Sequence, residues 1–212
     1  MTEQKTLTSY FDKIHCINLT KRIDRWKTVK EEFKKYNIND VVRCEAIDGY
    51  KFDWSNVPHN LKLLKGELGL LETHINIISE AIANNYDSIL IFEDDAKFND
   101  DIINIEKYME LVPTDWDMIY FGGNHSYGKP PVKIIDNVYR LNHTYTTHCI
   151  AIKKNMYETV LKLIQNREKQ IDVYYADLQN THNIYGFVPS LVTQAVGFSD
   201  IQQSLKDYTN LI

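Results

Sequence analysis

A chain of 212 residues, 43% hydrophobic and 25% charged, is long enough for one substantial core and has the make-up of an ordinary soluble globular protein. Its formal net charge of -5 gives no general attraction to phosphate polymers or anionic lipid, so nucleic acid is not an expected partner. The opening MTEQKTLTSYFDK lacks the apolar centre of a signal peptide, and no later run approaches the roughly 18 apolar residues of a membrane span, so the expected location is cytoplasmic.

In chain order, residues 13–19 (KIHCINL) form an apolar strand, and Thr20 is placed to cap a helix over 21–36. That helix carries the richest basic stretch, but acids interrupt it and it reads as a solvated face. Residues 41–47 (VVRCEAI) predict a second strand closed by Asp48-Gly49, and 50–64 reads as irregular. From Gly66 onward, Leu68, Leu71, Ile75, Ile78 and Ile82 recur at steps of three and four, the stripe of an amphipathic helix. Residues 88–92 (SILIF) are continuously apolar, as in a strand covered on both faces of a parallel α/β sheet. A helix over 101–111 ends before Pro113. Strands over 116–123 and 144–152, helices over 155–166 and 170–182, and a short strand region over 185–194 complete the chain. The β-α-β-α-β opening, without repeat or linker, predicts one α/β domain covering residues 1–212. Cys16, Cys44 and Cys149 are odd in number and far apart, so they read as buried free thiols. Glycosylation sequons at Asn18, Asn124 and Asn142 match a pattern that recurs by chance.

The apolar strand over 88–92 runs straight into Glu93, Asp94 and Asp95. Such close carboxylates repel one another and are costly to bury unpaired, so a cation belongs beside them. On an extended chain Glu93 and Asp95 project to one side and Asp94 to the other. The carboxyl ends of strands are where open α/β sheets bind ligands. Hard oxygen ligands there suit Mg²⁺ or Mn²⁺, which shares phosphate oxygens with a nucleotide diphosphate. The competing reading has Asp94 or Asp95 capping a turn and Glu93 meeting an arginine.

Eight stretches in order resemble glycosyltransferase family 25: INLTKRIDRW (17–26), EAIDG (45–49), KGELGLLETH (65–74), ILIFEDDA (89–96), WDMIYFG (116–122), YTTHCIAI (145–152), QIDVYYADL (170–178) and YGFVPSLVTQAVGFSDIQ (185–202). The resemblance implies a GT-A-like, Rossmann-type α/β domain with a mixed central sheet, and inverting transfer of a sugar from a nucleotide donor, usually UDP-galactose. It sets Glu93 and Asp95 where such folds carry their metal-binding acidic pair, with Asp95 the direct Mn²⁺ (or Mg²⁺) ligand. It places Asn18, Leu19 and Arg25 near uridine or ribose. Arg22 and Arg25 are read either as clamps on phosphate or acidic partners, or as plain helix charges. Asp48 and Gly49 shape a uracil pocket or an ordinary turn.

Gly66, Glu67, Gly69 and His74 match a family stretch in which Thr73 stands for serine. The glycines let backbone approach a ligand or another segment, Glu67 favours the helix start, and His74 meets donor sugar or packs in the core. Asp94 belongs with the nucleotide-sugar contacts, and Gln194 with donor sugar or metal-bound water. The base that an inverting mechanism needs is Asp172 by resemblance, with Asp177 and Asp200 behind it. His125, His143, His148 and His182 form no spaced metal cluster, although His148, if it faces the site, is a third metal ligand. The expected partners are a UDP-sugar donor and a glycan, lipid-linked glycan or protein acceptor. Exposed tyrosines serve acceptor binding or a homodimer contact. Two other readings stay open: a nucleotide-sugar binding protein without transfer, and a UDP-sugar hydrolase. A nucleotidyltransferase is disfavoured because INLTKRIDRW has no glycine.

Overall fold

The computed structural model describes residues 5–125 and 129–207. Strand β1 (Lys13–Asn18) leads into helix α1 (Ile23–Lys35), then β2 (Val41–Glu45), α2 (Lys65–Ala83) and β3 (Ser88–Glu93). Next come β4 (Ala96–Phe98), α3 (Ile105–Leu111), β5 (Met118–Tyr120), β6 (Val132–Ile135), β7 (Val138–Arg140), β8 (Cys149–Lys153), α4 (Tyr157–Ile164) and α5 (Ile171–Leu178). The last strands are β9 (Ile184–Phe187), β10 (Val192–Gln194), β11 (Gly197–Ser199) and β12 (Ser204–Lys206).

Eight strands form one sheet in the order β2-β1-β3-β8-β5-β9-β7-β6. Strand β3 runs parallel to β1 but antiparallel to β8, so the sheet is mixed, as the family resemblance implies. Alternation along β3 shows why its sequence is apolar throughout. Leu90 and Phe92 pack with Val29, Phe33 and Ile105 on one face, whereas Ile89 and Ile91 pack with Leu71, Ile78 and Val160 on the other. Each of these fully buried side chains contributes about 1.5–3 kcal/mol. Two short ribbons, β4–β10 and β11–β12, lie outside the main sheet.

Several expectations shift in detail. Arg22, not Thr20, holds the N-cap position of α1, because the Thr20 hydroxyl donates to Glu45 instead. The stripe of α2 is buried at Leu68, Leu71, Ile75 and Ile78 but runs out at Ile82, which is 38% exposed. The strand expected over 144–152 begins only at Cys149, since Thr146 has φ 70°, a left-handed conformation incompatible with a strand. Cys16 and Cys149 are buried and Cys44 half-buried, all as free thiols. Among the described residues no helix is long and apolar enough to cross a membrane.

The first turn of α2 sits almost directly on the turn after β2. A Cβ on Gly49 would stand 1.7 Å from the Lys65 carbonyl oxygen, and one on Gly69 would stand 2.4 Å from the Ile47 carbonyl oxygen. Both obstacles are backbone, so neither can swing aside. Gly49→Ala is therefore expected to lower the free energy of unfolding by about 1–3 kcal/mol in urea titrations. Wild-type stability in that variant would mean that the loop relaxes freely away from α2.

Candidate active site

A cavity of about 680 Å³ opens at the carboxyl ends of β1 and β3. Its walls come from the β1–α1 loop (Leu19), the first turn of α1 (Arg25), the β2–α2 loop (Asp48, Gly49), the start of α2 (Gly66, Glu67), and Glu93, Asp94 and Asp95. The segment before β8 (Thr146, Thr147), Asp172 of α5, Gln194 of β10 and the β11–β12 hairpin complete it.

The acidic run is not extended beyond Glu93. Asp94 and Asp95 make the turn between β3 and β4, so all three carboxylates reach the same cavity rather than alternating across a strand. Each is held differently. Asp94 uses both oxygens, accepting from Arg25 Nη1 at 2.7 Å and from Asn18 Nδ2 at 2.5 Å. Glu93 Oε1 accepts from the Thr147 hydroxyl at 2.7 Å. Asp95 Oδ2 lies 3.3 Å from Arg25 Nη1, while its Oδ1 is sealed from solvent with no hydrogen-bond partner. The cation anticipated beside this turn is thus supplied in part by Arg25, which neutralises Asp94 and Asp95 but leaves one Asp95 oxygen unsatisfied.

Burial raises the pKa of all three carboxyls and Arg25 opposes it, with repulsion from neighbouring carboxylates adding at Glu93 and Asp94. Glu93 is pushed up to about 8, chiefly by desolvation and then by Asp95. A carboxyl whose folded pKa lies above its unfolded value of 4.5 binds more protons when folded, so its contribution to stability declines as pH rises through the interval from 4.5 to 8. The buried imidazoles act in the opposite sense. His148 is lowered to about 4 and His74 to about 3 by desolvation, so their effect is complete once pH passes their unfolded value of 6.5. Between pH 6.5 and 8, in EDTA, the protein is therefore expected to lose about 1–2 kcal/mol of stability that Glu93→Gln does not lose. Parallel thermal-melting profiles for the two proteins would refute the assignment to Glu93.

The other sequence-selected residues fall into two groups. Leu19, Asp48, Gly49, Gly66, Glu67, Asp172 and Gln194 line the cavity. Within that group Glu67 is partly committed, because its carboxylate accepts from the Leu64 N–H at 2.8 Å and caps α2. Asp48 is paired with Lys21 at 3.1 Å. Gln194 lies beside Asp95 and favours its ionised form.

In the second group only Arg25 borders the cavity, and each member is committed to protein partners. Asn18 is buried behind Asp94, and its Oδ1 accepts from Arg43 Nε at 2.9 Å, so it braces the acidic turn instead of facing uridine or ribose. Arg25 is a clamp on acidic partners, and its Nη2 also donates to the Phe198 carbonyl at 2.9 Å. Arg22 is held by Asp24 and Asp200. His74 is fully buried, with Nδ1 3.0 Å from the Tyr175 hydroxyl, and packs below the cavity floor. Asp177 is half-exposed, ion-paired with Lys169 at 2.7 Å and outside the cavity, since five helical positions from Asp172 turn it to another face. His148 is not available to a metal: Nε2 donates to the Val192 carbonyl and Nδ1 accepts from Thr146.

Sequence reasoning passed over Thr146 and Thr147. Two adjacent β-branched residues before an apolar run signal strand, and nothing in their spacing points to Glu93 or Asp172. Yet the Thr147 hydroxyl holds Glu93, and the Thr146 backbone N–H lies near enough to Asp172 to favour its ionised form, while Asp172 Oδ1 accepts from the Val173 N–H at 2.9 Å.

Residues 11–173 match glycosyltransferase family 25, described as an LPS biosynthesis protein. The chain belongs to that family. The matched span takes in the acidic turn and reaches Asp172, while Gln194 and the β11–β12 hairpin lie beyond it. Procollagen galactosyltransferase 2 of Mus musculus is 27% identical over 166 residues, covering 67% of this chain and 26% of that protein. Inactive glycosyltransferase 25 family member 3 of Homo sapiens is 29% identical over 130 residues, covering 53% of this chain and 22% of that protein. This family 25 chain therefore spans about a quarter of the length of the curated relatives it matches. Among solved structures, A197 from STIV is similar at 14% identity and a TM-score of 0.46, covering 94% of this chain and 97% of that one.

Proposed function

We propose that this chain is a metal-dependent, inverting glycosyltransferase that moves a hexose from a UDP-sugar to a hydroxyl of a glycan or protein acceptor. The galactosyltransferases among the matched relatives make UDP-galactose the first donor to test. The observation that carries the reading is the unsatisfied, buried Oδ1 of Asp95 on the wall of a cavity large enough for a nucleotide sugar. Among the described residues no group of three or more His, Cys, Asp or Glu is arranged to enclose an ion. Two carboxylates nonetheless suit an ion of the Mg²⁺ kind, which is held by one or two protein oxygens and completes its shell with phosphate and water.

Glu93 and Asp95 are the residues that would hold Mn²⁺ or Mg²⁺. When bound there, the ion supplies charge neutralisation for the departing diphosphate. The chain's own groups do the rest. Arg25 and Asn18 fix Asp94 and with it the acidic turn, Thr147 orients Glu93, and Gln194 favours the ionised form of Asp95. Asp172 takes the proton from the acceptor hydroxyl, and burial raises its pKa in the direction that makes it a better base.

The test is UDP release from a panel of nucleotide sugars with Mn²⁺ and candidate acceptors. Release from one donor, abolished by EDTA, supports the reading. UDP binding without release from any donor and acceptor pair favours the non-catalytic alternative, a fate recorded in the name of one matched relative. Failure to bind UDP at all refutes the site.

A further inference from the structure

The β11–β12 hairpin lies beyond the family-matched span, yet it closes one side of the cavity. It pairs with no strand of the main sheet and is held from the side. Arg25 Nη2 donates to the Phe198 carbonyl at 2.9 Å, and Asp200, in the turn between the two strands, pairs with Arg22 and Lys21. Register then decides what the ribbon shows to each side. Phe198 and Leu205 stand opposite each other and are exposed, so the alternate pair, Gly197 and Lys206, turns the other way and lines the cavity. A Cβ on Gly197 would stand 3.7 Å from Arg25 Nη2, which sets Lys206 one strand away from the guanidinium that clamps Asp94 and Asp95.

Charge separates Lys206 from the other cations there. Seven carboxyl groups line the cavity against three cationic side chains, Lys21, Arg25 and Lys206. Lys21 is spent on Asp48 at 3.1 Å and Asp200 at 3.7 Å, and Arg25 on Asp94 at 2.7 Å and Asp95 at 3.3 Å. Lys206 has no ion-pair partner among the described residues. A diphosphate that enters a cavity walled by carboxylates needs positive charge not already neutralised, and a lysine ammonium is a point cation suited to phosphate oxygens. From this we infer that Lys206 is a donor-binding residue: the hairpin carries its ammonium to the diphosphate of the nucleotide sugar. The inference rests on the nucleotide-sugar reading of the cavity and adds to it a contact outside the acidic turn.

Isothermal titration calorimetry on the full chain tests it, with UDP and inorganic pyrophosphate as separate probes, each with Mg²⁺ at low salt. Lys206→Gln keeps the length of the side chain but not its charge, and is expected to weaken both probes about tenfold. Lys206→Arg keeps the charge and stays within about threefold of wild type. Uridine, added as a competitor of UDP, carries no phosphate and should bind all three proteins alike, which a displaced hairpin would not allow. The tenfold gap should narrow as salt rises, because the half-buried side chain is partly screened. Unchanged affinity in Lys206→Gln overturns the inference, as does an equal loss in Lys206→Gln and Lys206→Arg. A wild-type protein that binds pyrophosphate but not UDP refutes the nucleotide-sugar reading, and Lys206 is then judged on pyrophosphate alone. Binding of neither probe overturns both.

Discussion

Asp95→Asn is expected to lower Mn²⁺-dependent UDP release on the order of a thousandfold while raising, not lowering, the melting temperature in EDTA. The two effects share one cause. Asp95 is buried, its carboxyl is disfavoured in the ionised form by desolvation, and its Oδ1 has no partner. A neutral amide removes the cost of burying that charge and keeps a group of the same shape beside Arg25 Nη1, now 3.3 Å from Oδ2. What it removes from function is a buried carboxylate oxygen on this turn that has no hydrogen-bond partner. Loss of an outer support of a metal ligand typically costs 10- to 100-fold, and loss of the ligand costs more. An activity loss accompanied by a lower melting temperature would instead point to a role for Asp95 in holding Arg25, and normal activity would remove the acidic turn from the chemistry.

The same contrast separates Asp95 from its neighbours. Asp94 is satisfied at both oxygens by Arg25 and Asn18, so its substitution removes one bond from each of them and is destabilising in the ordinary way. Three adjacent carboxylates thus have three duties, and the difference among them lies wholly in which oxygens the fold has already used.

How much of this was written in the residues can be judged at that turn. An apolar strand ending on three acids announces a ligand-facing strand end, because only a cation or a site justifies such a junction. The main sheet follows equally from SILIF and CIAIK, whose apolar runs require cover on both faces. The partner that neutralises the acids is 69 residues away from Asp94 in the chain, and no local pattern names Arg25 over Arg22 as the one that folding delivers. Asn18 illustrates the limit of motif reading: it lies in a matched stretch, but burial turns it onto Asp94 and Arg43 and away from any nucleotide. The strands β4, β6, β7, β11 and β12 escaped because each is three or four residues long, and edge positions such as those of β6 are exposed on both faces, which erases the alternation that identifies a strand. Thr146 was hidden more deeply, since β-branched residues argue for strand and the backbone there does the opposite.

Asp172→Asn is the second decisive substitution, expected to lower transfer to acceptor by about 10²- to 10⁴-fold while UDP affinity and melting temperature stay within error of wild type. Asp172 stands in the first turn of α5, where a carboxylate stabilises a helix without any chemistry, so the two roles must be pulled apart. Asparagine does this. Its Oδ1 can still accept from the Val173 N–H, so the helix start keeps its partner, but it cannot take a proton from an acceptor hydroxyl. Asp172→Ala removes both functions and should also lose about 1 kcal/mol of stability. If Asp172 serves only the helix, the asparagine variant retains transfer and only the alanine variant suffers. Asp177→Asn supplies the matched control: the same chemical change on the same helix, at a half-exposed residue paired with Lys169, should alter neither transfer nor stability by more than a surface ion pair is worth, about 0–1 kcal/mol. Loss of transfer in both variants would place the requirement for charge on the helix as a whole and not on the carboxylate that faces the cavity.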